Sequence, residues 1–255
     1  MTAPRRGEAE GRGHEVRLGD CLDPVSGLAS LPDKSVDHVI CDPPYEAEAH
    51  SKVCRANTKG PGHGKSAIVE VQHDFPAITE ALRMAAAREM VRVSRGWVLA
   101  FCQIEAVGAW RAALVAAGAK WRRGMVWVKP DAMPQVTGDR PGQWGECMAL
   151  AWAGKGRSRW NLRGKPGSWI VKKYEKGRVN PTQKPLELML RLVSAFTQPG
   201  DLVCDPFAGA GTTLLAAAQL GRSAIGWEID PRYHAAAEGR LAGVSGAGPD
   251  GGGGR

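Results

Sequence analysis

The sequence lacks the features that mark membrane and secreted proteins. It contains no run of about 18–20 consecutive apolar residues, the length that a helix needs to cross a bilayer. Residues Met1–Glu15 are polar and carry arginines and glutamates without an apolar stretch, which is not the pattern of a signal peptide. We therefore expect a cytoplasmic protein with no membrane partner.

The six cysteines form no CxxC pair and no Cys/His spacing typical of zinc sites, so no metal centre is expected. Cys41, Cys102, Cys147 and Cys204 lie in apolar runs, where a free thiol behaves as a small buried hydrophobic group. We interpret these cysteines as structural. Thiols of this kind fit a reducing compartment.

Two glycine-rich segments each lack one residue of a nucleotide-binding motif. Gly60–Ser66 resembles a phosphate-binding loop, but the motif requires glycine where Lys59 stands, and no apolar strand precedes it. Gly209 and Gly211 lie at a predicted strand-to-helix turn, but Leu214 occupies the third glycine position of a dinucleotide-binding motif. These absences argue against a nucleoside triphosphate or a dinucleotide as the ligand.

The length and composition fit one large α/β domain. The chain has 255 residues, of which 43% are hydrophobic and 24% charged, so it is not wholly disordered. Short apolar runs alternate with helical patterns, which is typical of βαβ units on a parallel sheet. The predicted strands are Glu15–Leu18, Val36–Cys41, Gly96–Cys102, Met125–Val128, Cys147–Trp152, Leu202–Cys204 and Ser223–Trp227. The predicted helices are Pro76–Val93, Ile104–Ala117, Pro185–Phe196, Thr212–Leu220 and Pro231–Leu241.

Several segments do not fit this alternation. Residues 46–74 are polar and glycine-containing, and we expect a mobile loop there. Residues 130–178 are rich in proline, glycine and charge, and we expect an insertion. A flexible N-terminus at 1–14 and a disordered tail at 242–255 leave a single domain at 15–241.

The positive charge is concentrated in one segment. Lys and Arg number 34 against 26 Asp and Glu, a formal net charge of +8. The segment Lys155–Arg178 holds nine basic residues and one acid, so the rest of the chain is nearly neutral. A confined basic block predicts a polyanionic partner, although a solvated basic loop is the alternative. Trp160, Trp169 and Tyr174 lie among these charges, and flat aromatic rings suit stacking on bases.

The strand that ends at Cys41 is followed directly by Asp42, Pro43, Pro44 and Tyr45. In open parallel sheets, ligands bind at the carboxyl ends of the strands. Proline lacks an N–H group, so the carbonyls of this turn can only accept hydrogen bonds. A carboxylate and a carbonyl beside an aromatic ring suit a planar group that carries an amine. A simple strand-terminating turn is the alternative.

A carboxylate also follows the glycine turn at a characteristic distance. Glu228 lies 17 residues past Gly211, at the end of the next predicted strand. Carboxylates at about this distance bind the hydroxyls of a ribose. We therefore expect a nucleoside-binding site at this turn.

Together these segments resemble the β-group DNA amino-methyltransferases, which use S-adenosylmethionine. Asp42–Tyr45 is similar to their catalytic (D/N/S)PP(Y/F/W) motif, and Asp205–Thr213 to their cofactor loop. Asn180–Pro185 resembles the segment that precedes this loop, and Gly19–Asp20 the acidic position upstream of the catalytic motif. The order of the motifs, with the cofactor loop near the C-terminus, is also that of this group.

The resemblance covers residues 16–45 and 180–241 and implies a class I methyltransferase fold, a Rossmann-like, mostly parallel sheet with helices on both faces. It also implies S-adenosylmethionine as the cofactor. Glu228 would hold the ribose, Asp20 the adenine edge, and Thr182 with Lys184 the methionine carboxylate. The residues expected to bind the cofactor are Asp20, Thr182, Lys184, Asp205, Phe207, Gly209, Gly211, Thr212 and Glu228.

The same resemblance implies site-specific methylation of an exocyclic amine in double-stranded DNA. The target base would be flipped onto Tyr45, while Asp42 and the Pro43 carbonyl accept hydrogen bonds from its amine and Pro44 keeps the turn rigid. No cysteine follows a proline, which excludes carbon-5 cytosine methylation by a Pro-Cys nucleophile. The aspartate favours adenine N6 over cytosine N4. Cytosine N4, an RNA substrate and an inactive DNA-binding module stay open as alternatives.

In this group the DNA-reading region lies before the Asn180–Pro185 segment. We therefore expect residues 130–178 to recognise DNA and the loop at 46–74 to clamp the strand around the flipped base. The residues expected to bind DNA are Lys52, Arg55, Arg157, Arg159, Arg163, Lys172, Lys173 and Lys176. The sequence leaves open whether the protein forms a homodimer or works beside a restriction endonuclease.

Overall fold

The computed structural model describes residues 13–46, 76–132, 138, 141–179 and 182–245, together with the backbone of two strands at 53–57 and 66–70. The strands are β1 (His14–Leu18), β2 (His38–Cys41), β3 (Val53–Asn57), β4 (Ser66–Glu70), β5 (Trp97–Cys102), β6 (Lys120–Val128), β7 (Gly145–Trp152), β8 (Ser168–Ile170), β9 (Leu202–Asp205) and β10 (Ser223–Glu228). The helices are α1 (Glu80–Val93), α2 (Val107–Ala116), α3 (Leu186–Phe196), α4 (Thr212–Gln219) and α5 (Pro231–Ser245), with a short 3-10 helix at Leu28–Ser30.

Eight strands form one sheet in the order β1-β10-β9-β2-β5-β7-β6-β8. Neighbouring strands are parallel except where β7 pairs with β5 and β6. From β2 the chain continues to β5 on one side, and β9 later pairs with the other side of β2. The strand order therefore reverses between β2 and β9, and ligands bind at such a point in open α/β sheets. The predicted α/β fold class is confirmed.

The helices cover both faces of the sheet because its central strands are buried on both sides. Strand β5 is buried along its whole length. Its odd-numbered residues pack in a core with α3, α4 and α5, and its even-numbered residues pack in a core with α1 and α2. Burial on both faces explains why this strand is a continuous apolar run rather than an alternating one. Within the described residues, no helix is both long and apolar enough to span a membrane.

Several predicted boundaries shift for identifiable reasons. Strand β2 begins at His38 rather than Val36, because Val36 forms an isolated bridge with Ser94. Helix α1 begins after Thr79 rather than at Pro76, because the Thr79 side chain accepts a hydrogen bond from the Leu82 N–H and caps the helix. Strand β6 begins at Lys120 rather than Met125, because its polar first half still pairs with β7.

The predicted mobile loop at 46–74 contains a hairpin. Strands β3 and β4 pair in antiparallel fashion, with Val53 opposite Glu70 and Asn57 opposite Ser66. These ten residues are strand, and the mobility of the segment stays a prediction. Valine and isoleucine favour strands, and the glycine-rich stretch between the two segments suits a hairpin connection.

The predicted termini and insertion also change. Helix α5 reaches Ser245, so the predicted disordered tail at 242–255 begins in a helix, where Val244 packs against the core. His14 of the predicted flexible N-terminus opens β1. The predicted insertion at 130–178 contributes β7 and β8 to the main sheet, because the apolar side chains of β7 and the Trp169 ring of β8 fill the core.

Candidate active site

Four acidic side chains lie at the carboxyl ends of neighbouring parallel strands. Asp20 follows β1, Glu228 ends β10, Asp205 ends β9 and Asp42 follows β2. These strands are adjacent in the sheet in this order, and Leu18 pairs directly with Glu228. The two motifs that the sequence separates by more than 150 positions therefore meet at one edge of the sheet.

The glycine turn after β9 is held by the carboxylate of Glu228. One oxygen of Glu228 accepts a hydrogen bond from the Gly209 N–H and the other from the Asp230 N–H, both at 2.7 Å. Burial raises the pKa of Glu228 above its ordinary value. On α5, Arg240 donates to the Ala210 carbonyl at 2.6 Å and to the Thr212 hydroxyl at 3.0 Å. The turn is thus fixed from both sides.

The two glycines of this turn have different reasons to be glycine. Both have a positive φ, +53° at Gly209 and +74° at Gly211. A Cβ on Gly209 would meet no atom within 4 Å, whereas a Cβ on Gly211 would lie 2.8 Å from the Cβ of Ala237. The sequence suggests close approach of a ligand for both. Packing of α5 is an additional constraint at Gly211.

Gly211→Ala should therefore destabilise the protein more than Gly209→Ala. Both changes strain a left-handed backbone by about 1 kcal/mol, and Gly211→Ala adds overpacking of about 1–3 kcal/mol. Urea unfolding of the two variants measures the difference. Equal losses of stability would contradict the packing role of Gly211.

Asp205 is almost completely buried, with 1% of its surface exposed. Its carboxylate accepts hydrogen bonds from the Phe207 N–H at 3.0 Å and from the Thr213 side chain. Burial raises the pKa of Asp205 to about 7, and the nearby Asp42 and Glu228 add to the rise. The site therefore holds a carboxyl group that ionises near neutral pH, and a cation placed beside it would favour its ionised form.

Asp205→Asn should stabilise the unliganded protein at pH 8 but much less at pH 4. The carboxyl group ionises near pH 4 in the unfolded chain and near pH 7 in the folded one, so folding becomes less favourable between these values. The gain in the free energy of unfolding of Asp205→Asn over wild type is at most about 4 kcal/mol at pH 8. Urea unfolding of both proteins from pH 4 to 8 measures it. A difference between variant and wild type that does not change with pH would contradict the account.

A chain of alternating charges surrounds Asp42. The Lys184 Nζ lies 2.5 Å from Asp42 Oδ2 and 3.2 Å from Glu146 Oε2. The other Glu146 oxygen, Oε1, lies 2.5 Å from Lys129 Nζ. The Tyr45 hydroxyl donates a hydrogen bond to Glu146 Oε2 at 2.7 Å. The turn after β2, the end of β6, the start of β7 and the segment before α3 thus meet at this point.

The surroundings set the charges of this group. Burial alone would lower the pKa of Lys184, but Asp42 and Glu146 raise it above its ordinary value. Burial opposes ionisation of Glu146, but Lys184 and Lys129 hold its pKa at about 2. Burial raises the pKa of Asp42, although Lys184 acts in the opposite direction. The cluster therefore keeps Lys184 and Glu146 charged, whereas burial pushes Asp42 toward its protonated form.

One oxygen of Asp42 has no partner in the part of the chain that the structure describes. Oδ1 is buried and forms no hydrogen bond within the described residues, whereas Oδ2 is held by Lys184. The Tyr45 hydroxyl lies close to Asp42 but donates its single proton to Glu146. An unpaired buried acceptor costs about 1–3 kcal/mol. Such an atom is suited to accept a hydrogen bond from a ligand.

The remaining predicted residues differ in their placement. Pro43 is buried, and Pro44, Tyr45, Phe207 and Thr182 are half-buried. Asp20 is exposed and accepts a hydrogen bond from the Leu22 N–H at 2.8 Å. Asn180 and Pro181 of the predicted upstream segment lie outside the described residues.

The structure brings together residues that the sequence did not indicate. Glu146 and Lys129 complete the cluster around Lys184, and Arg240 holds the glycine turn. Glu146 directly precedes the predicted strand Cys147–Trp152, and Lys129 directly follows Met125–Val128. Opposite charges on the two sides of the connection between two apolar runs are the signal that could have found this pair. The contacts of Lys184 also differ from its expected role as a ligand of the methionine carboxylate, because its ammonium is engaged by two carboxylates.

The basic segment is divided between the two edges of the sheet. At the start of β5, the Trp97 indole N–H donates to the Arg159 carbonyl at 2.6 Å, at the edge opposite Asp42. Strand β8 then runs parallel to β6, so Lys172 and Lys173 follow its carboxyl end, on the same edge as Asp42. A six-residue strand such as β5 spans about 20 Å. The basic block that is confined in the sequence is therefore divided in space, and DNA binding by either half stays a prediction.

The first half of the divided segment comprises the exposed residues Arg157, Arg159 and Arg163, and the second comprises the exposed residues Lys172, Lys173 and Lys176. The backbone N–H groups of Lys173 and Tyr174 donate to the Asp131 carboxylate, at 2.7 and 2.9 Å. Asp131 follows β6, close to Lys129. The lysine half is thus anchored beside the cluster around Asp42.

Two of the three aromatic residues in the basic segment belong to the core. Trp169 is 5% exposed, and Trp160 packs on Phe196 of α3 with ring centroids 4.9 Å apart. Base stacking is wrong for Trp169, because the pairing of β8 with β6 buries its ring in the core. Trp160 lies outside β8 and is half-buried, so base stacking by its ring stays a prediction. Tyr174 is 73% exposed. Of the residues predicted to bind DNA from the first loop, Lys52 and the Arg55 side chain lie outside the described residues.

A comparison with protein families decides the relationship. A family described as DNA methylase, whose name covers N6 and N4 enzymes, matches residues 36–239. The chain belongs to the N6/N4 DNA methylase family. This DNA methylase is 30% identical over 231 residues to YubD of Escherichia coli K12, which is named as a methylase, with 89% of each chain covered. It is 27% identical over 255 residues to the type II methyltransferase M.HinfI of Haemophilus influenzae, covering 89% of this chain and 67% of M.HinfI.

Solved structures share the fold of this DNA methylase. M1.HpyAVI, in complex with S-adenosylmethionine, matches with a TM-score of 0.67 and 24% identity, covering 89% of this chain and 98% of M1.HpyAVI. The cytosine-N4-specific PvuII DNA methyltransferase matches with a TM-score of 0.67 and 17% identity, covering 91% and 90%. These likenesses establish the class I methyltransferase fold that the sequence predicts.

Proposed function

We propose that the protein is a site-specific DNA methyltransferase that transfers a methyl group from S-adenosylmethionine to the N6 amine of adenine. The proposal is carried by the buried Oδ1 of Asp42, which has no hydrogen-bond partner among the described residues and lies at the same sheet edge as Asp205 and Glu228. Membership in the DNA methylase family supports DNA as the substrate.

The edge formed by β1, β10 and β9 fits S-adenosylmethionine. This cofactor carries two ribose hydroxyls and two positively charged groups, and carboxylates bind both kinds of group. Asp20, Asp205 and Glu228 supply three carboxylates there, and open space lies next to Gly209. The S-adenosylmethionine complex of M1.HpyAVI supports the same cofactor for this chain.

Within this edge, Glu228 holds the ribose, Asp20 binds the adenine edge, and Thr182 contacts the methionine carboxylate. The turn residues Phe207, Gly209, Gly211 and Thr212, together with Asp205, line the methionine and sugar end. When bound, the cofactor supplies an electrophilic methyl group on a sulfonium. The raised pKa of Asp205 fits this role, because a cation beside it favours the ionised carboxylate.

Asp42 and the Pro43 carbonyl hold the target amine. Asp42 Oδ1 accepts a hydrogen bond from one amine hydrogen and the Pro43 carbonyl from the other, which directs the nitrogen lone pair at the methyl group. The nitrogen–carbon bond forms as the carbon–sulfur bond breaks, and the amine then loses a proton. Asp42 is the nearest base for that proton, and burial raises its pKa toward a suitable range. Orientation and electrostatics supply most of the rate.

Cytosine N4 is the second candidate for the methylated position. The aspartate at the start of the motif favours adenine, whereas the fold likeness to the PvuII methyltransferase favours cytosine. Both reactions need the same amine acceptors. Identifying the methylated nucleoside therefore decides between the two candidates.

The test is to identify the product. DNA from a host without DNA methylation is incubated with the protein and S-adenosylmethionine that carries a deuterated methyl group, then digested to nucleosides for mass spectrometry. We expect deuterium in N6-methyldeoxyadenosine. Label in N4-methyldeoxycytidine would support the second candidate. Cofactor binding without any label would indicate an inactive DNA-binding module, and label found only in added RNA would indicate an RNA enzyme.

A further inference from the structure

The ammonium of Lys184 is enclosed on several sides. Two carboxylates lie beside it, Asp42 at 2.5 Å and Glu146 at 3.2 Å. Its Nζ lies 5.0 Å from the ring centroid of Phe101 and 5.2 Å from that of Tyr45. Its side chain is 8% exposed. A lysine held in this way has little freedom to follow a ligand.

Glu146 is the common acceptor of the cluster. It accepts hydrogen bonds from the Tyr45 hydroxyl and from Lys129, and it pairs with Lys184. It therefore fixes the tyrosine of the catalytic motif and the lysine that holds Asp42. A substitution at Glu146 would remove one contact from each of them.

We infer that Lys184 and Glu146 are positioning residues for the methyl transfer and that Lys184 is not a cofactor ligand. Lys184 holds Oδ2 of Asp42, so Oδ1 is the oxygen that faces the amine. Glu146 holds Lys184 and fixes the Tyr45 ring on which the target base stacks. This inference rests on the proposed function, because it assigns roles in the same reaction.

The position of Lys184 also selects a face of the Tyr45 ring. The ammonium lies over one face of the ring, in the arrangement of a cation–π contact. The target base then stacks on the opposite face. The same ring contact and the hydrogen bond to Glu146 keep Tyr45 in place before the base arrives.

Lys184 and Glu146 act on Asp42 with opposite signs. Among the described residues, the titratable groups around Asp42 are Lys184, Glu146, Asp205 and the neutral Tyr45, and Lys129 acts through Glu146. Positive Lys184 lowers the pKa of Asp42, whereas negative Glu146 raises it. Activity requires the ionised carboxylate, so the rate falls as the pH drops through this pKa. The acidic limb of the pH profile of kcat therefore reports on both residues.

The test compares Lys184→Met and Lys184→Arg with Glu146→Gln. Lys184→Met should lower kcat by about 100-fold, because misplacing a reacting group by about 1 Å has that effect. Its acidic limb should move to higher pH by about one unit or more, while the Kd for S-adenosylmethionine stays within about 3-fold. Lys184→Arg keeps the positive charge, so its loss of kcat and its shift of the acidic limb should both be smaller than those of Lys184→Met. Glu146→Gln should move the acidic limb to lower pH. If Lys184→Met does not fold, this shift in Glu146→Gln still tests the inference.

The control is Lys120→Met, which removes an exposed lysine at the start of β6. It should leave kcat, the pH profile and the Kd unchanged. A Lys184→Met variant with normal kcat at saturating cofactor and a Kd raised 10-fold would show that Lys184 binds the cofactor and would overturn the inference. A lower kcat with an unmoved acidic limb in both Lys184→Met and Glu146→Gln would show a structural role only and would also overturn it. A wild-type protein without methyl transfer overturns the proposed function instead, and the Kd comparison still decides whether Lys184 binds the cofactor.

Discussion

Asp42→Ala should lower kcat for DNA methylation by about 1,000-fold or more, since it removes both the amine acceptor and the nearest base. The affinity for S-adenosylmethionine should stay within several fold, because the cofactor is proposed to lie against Asp20, Asp205 and Glu228. Initial rates of tritiated methyl transfer to DNA from a methylation-free host measure kcat. Calorimetric titration measures the Kd.

Two further variants separate chemistry from folding. Asp42→Ala leaves Lys184 with Glu146 as its remaining carboxylate partner, and breaking a buried ion pair costs about 3–5 kcal/mol. Asp42→Asn keeps the shape and one acceptor oxygen while removing the charge, so it should fold better and still lose most of the activity. Asp33→Ala removes an exposed carboxylate and should behave like wild type. An Asp42→Ala protein with more than a tenth of the wild-type kcat would contradict the role of Asp42.

Replacing Lys172, Lys173 and Lys176 together by glutamine should weaken DNA binding by about 100-fold near physiological salt. These exposed lysines lie at the sheet edge that holds Asp42, where DNA must approach to deliver a base. The slope of log affinity against log salt should become shallower by about 0.9 for each phosphate contact that is lost. Fluorescence anisotropy of a labelled duplex over a salt series measures both quantities.

The matched control replaces Arg157, Arg159 and Arg163 by glutamine. It removes the same charge from the same segment of the chain, but at the opposite edge of the sheet. We expect a small change in affinity and an almost unchanged salt slope. Equal losses in the two triple variants would mean that net charge alone decides binding, and a larger loss in the arginine variant would place DNA at the opposite edge.

The meeting of the two motifs could be predicted because each is local. Asp42 and Asp205 each follow an apolar run with a turn, so the sequence places both at strand ends. Parallel strands share a carboxyl edge, and the strand order reverses between β2 and β9. The motifs and the topology rule are therefore sufficient to predict that Asp42 and Asp205 lie at the same edge of the sheet.

The role of Lys184 could not be predicted in the same way. Its partner Asp42 is 142 positions away along the chain, and Glu146 comes from a hairpin that the sequence indicates only in part. The expected contact with a methionine carboxylate was carried over from a family motif. Which anion a lysine pairs with depends on three-dimensional packing.

The basic segment shows a second limit. A count of charges does not reveal which edge of the sheet a charge occupies, and β8 is only three residues long, too short to give a clear period. Its middle residue, Trp169, is buried, while Ser168 and Ile170 are exposed. Because β8 pairs with β6, Trp169 is a core residue although it lies in a basic segment. The arginines precede this strand and the lysines follow it, so the two groups lie at different edges of the sheet.

The most direct test of the account is the affinity of a bisubstrate ligand, an adenine whose N6 is joined by a short alkyl linker to the 5′ position of an S-adenosylmethionine analogue. If the cofactor site and Asp42 share one cleft, calorimetry should show binding about 10-fold or more tighter than that of S-adenosylhomocysteine. Asp42→Ala should remove this gain. A bisubstrate ligand that binds no tighter than S-adenosylhomocysteine, or that keeps its advantage in Asp42→Ala, would contradict the account.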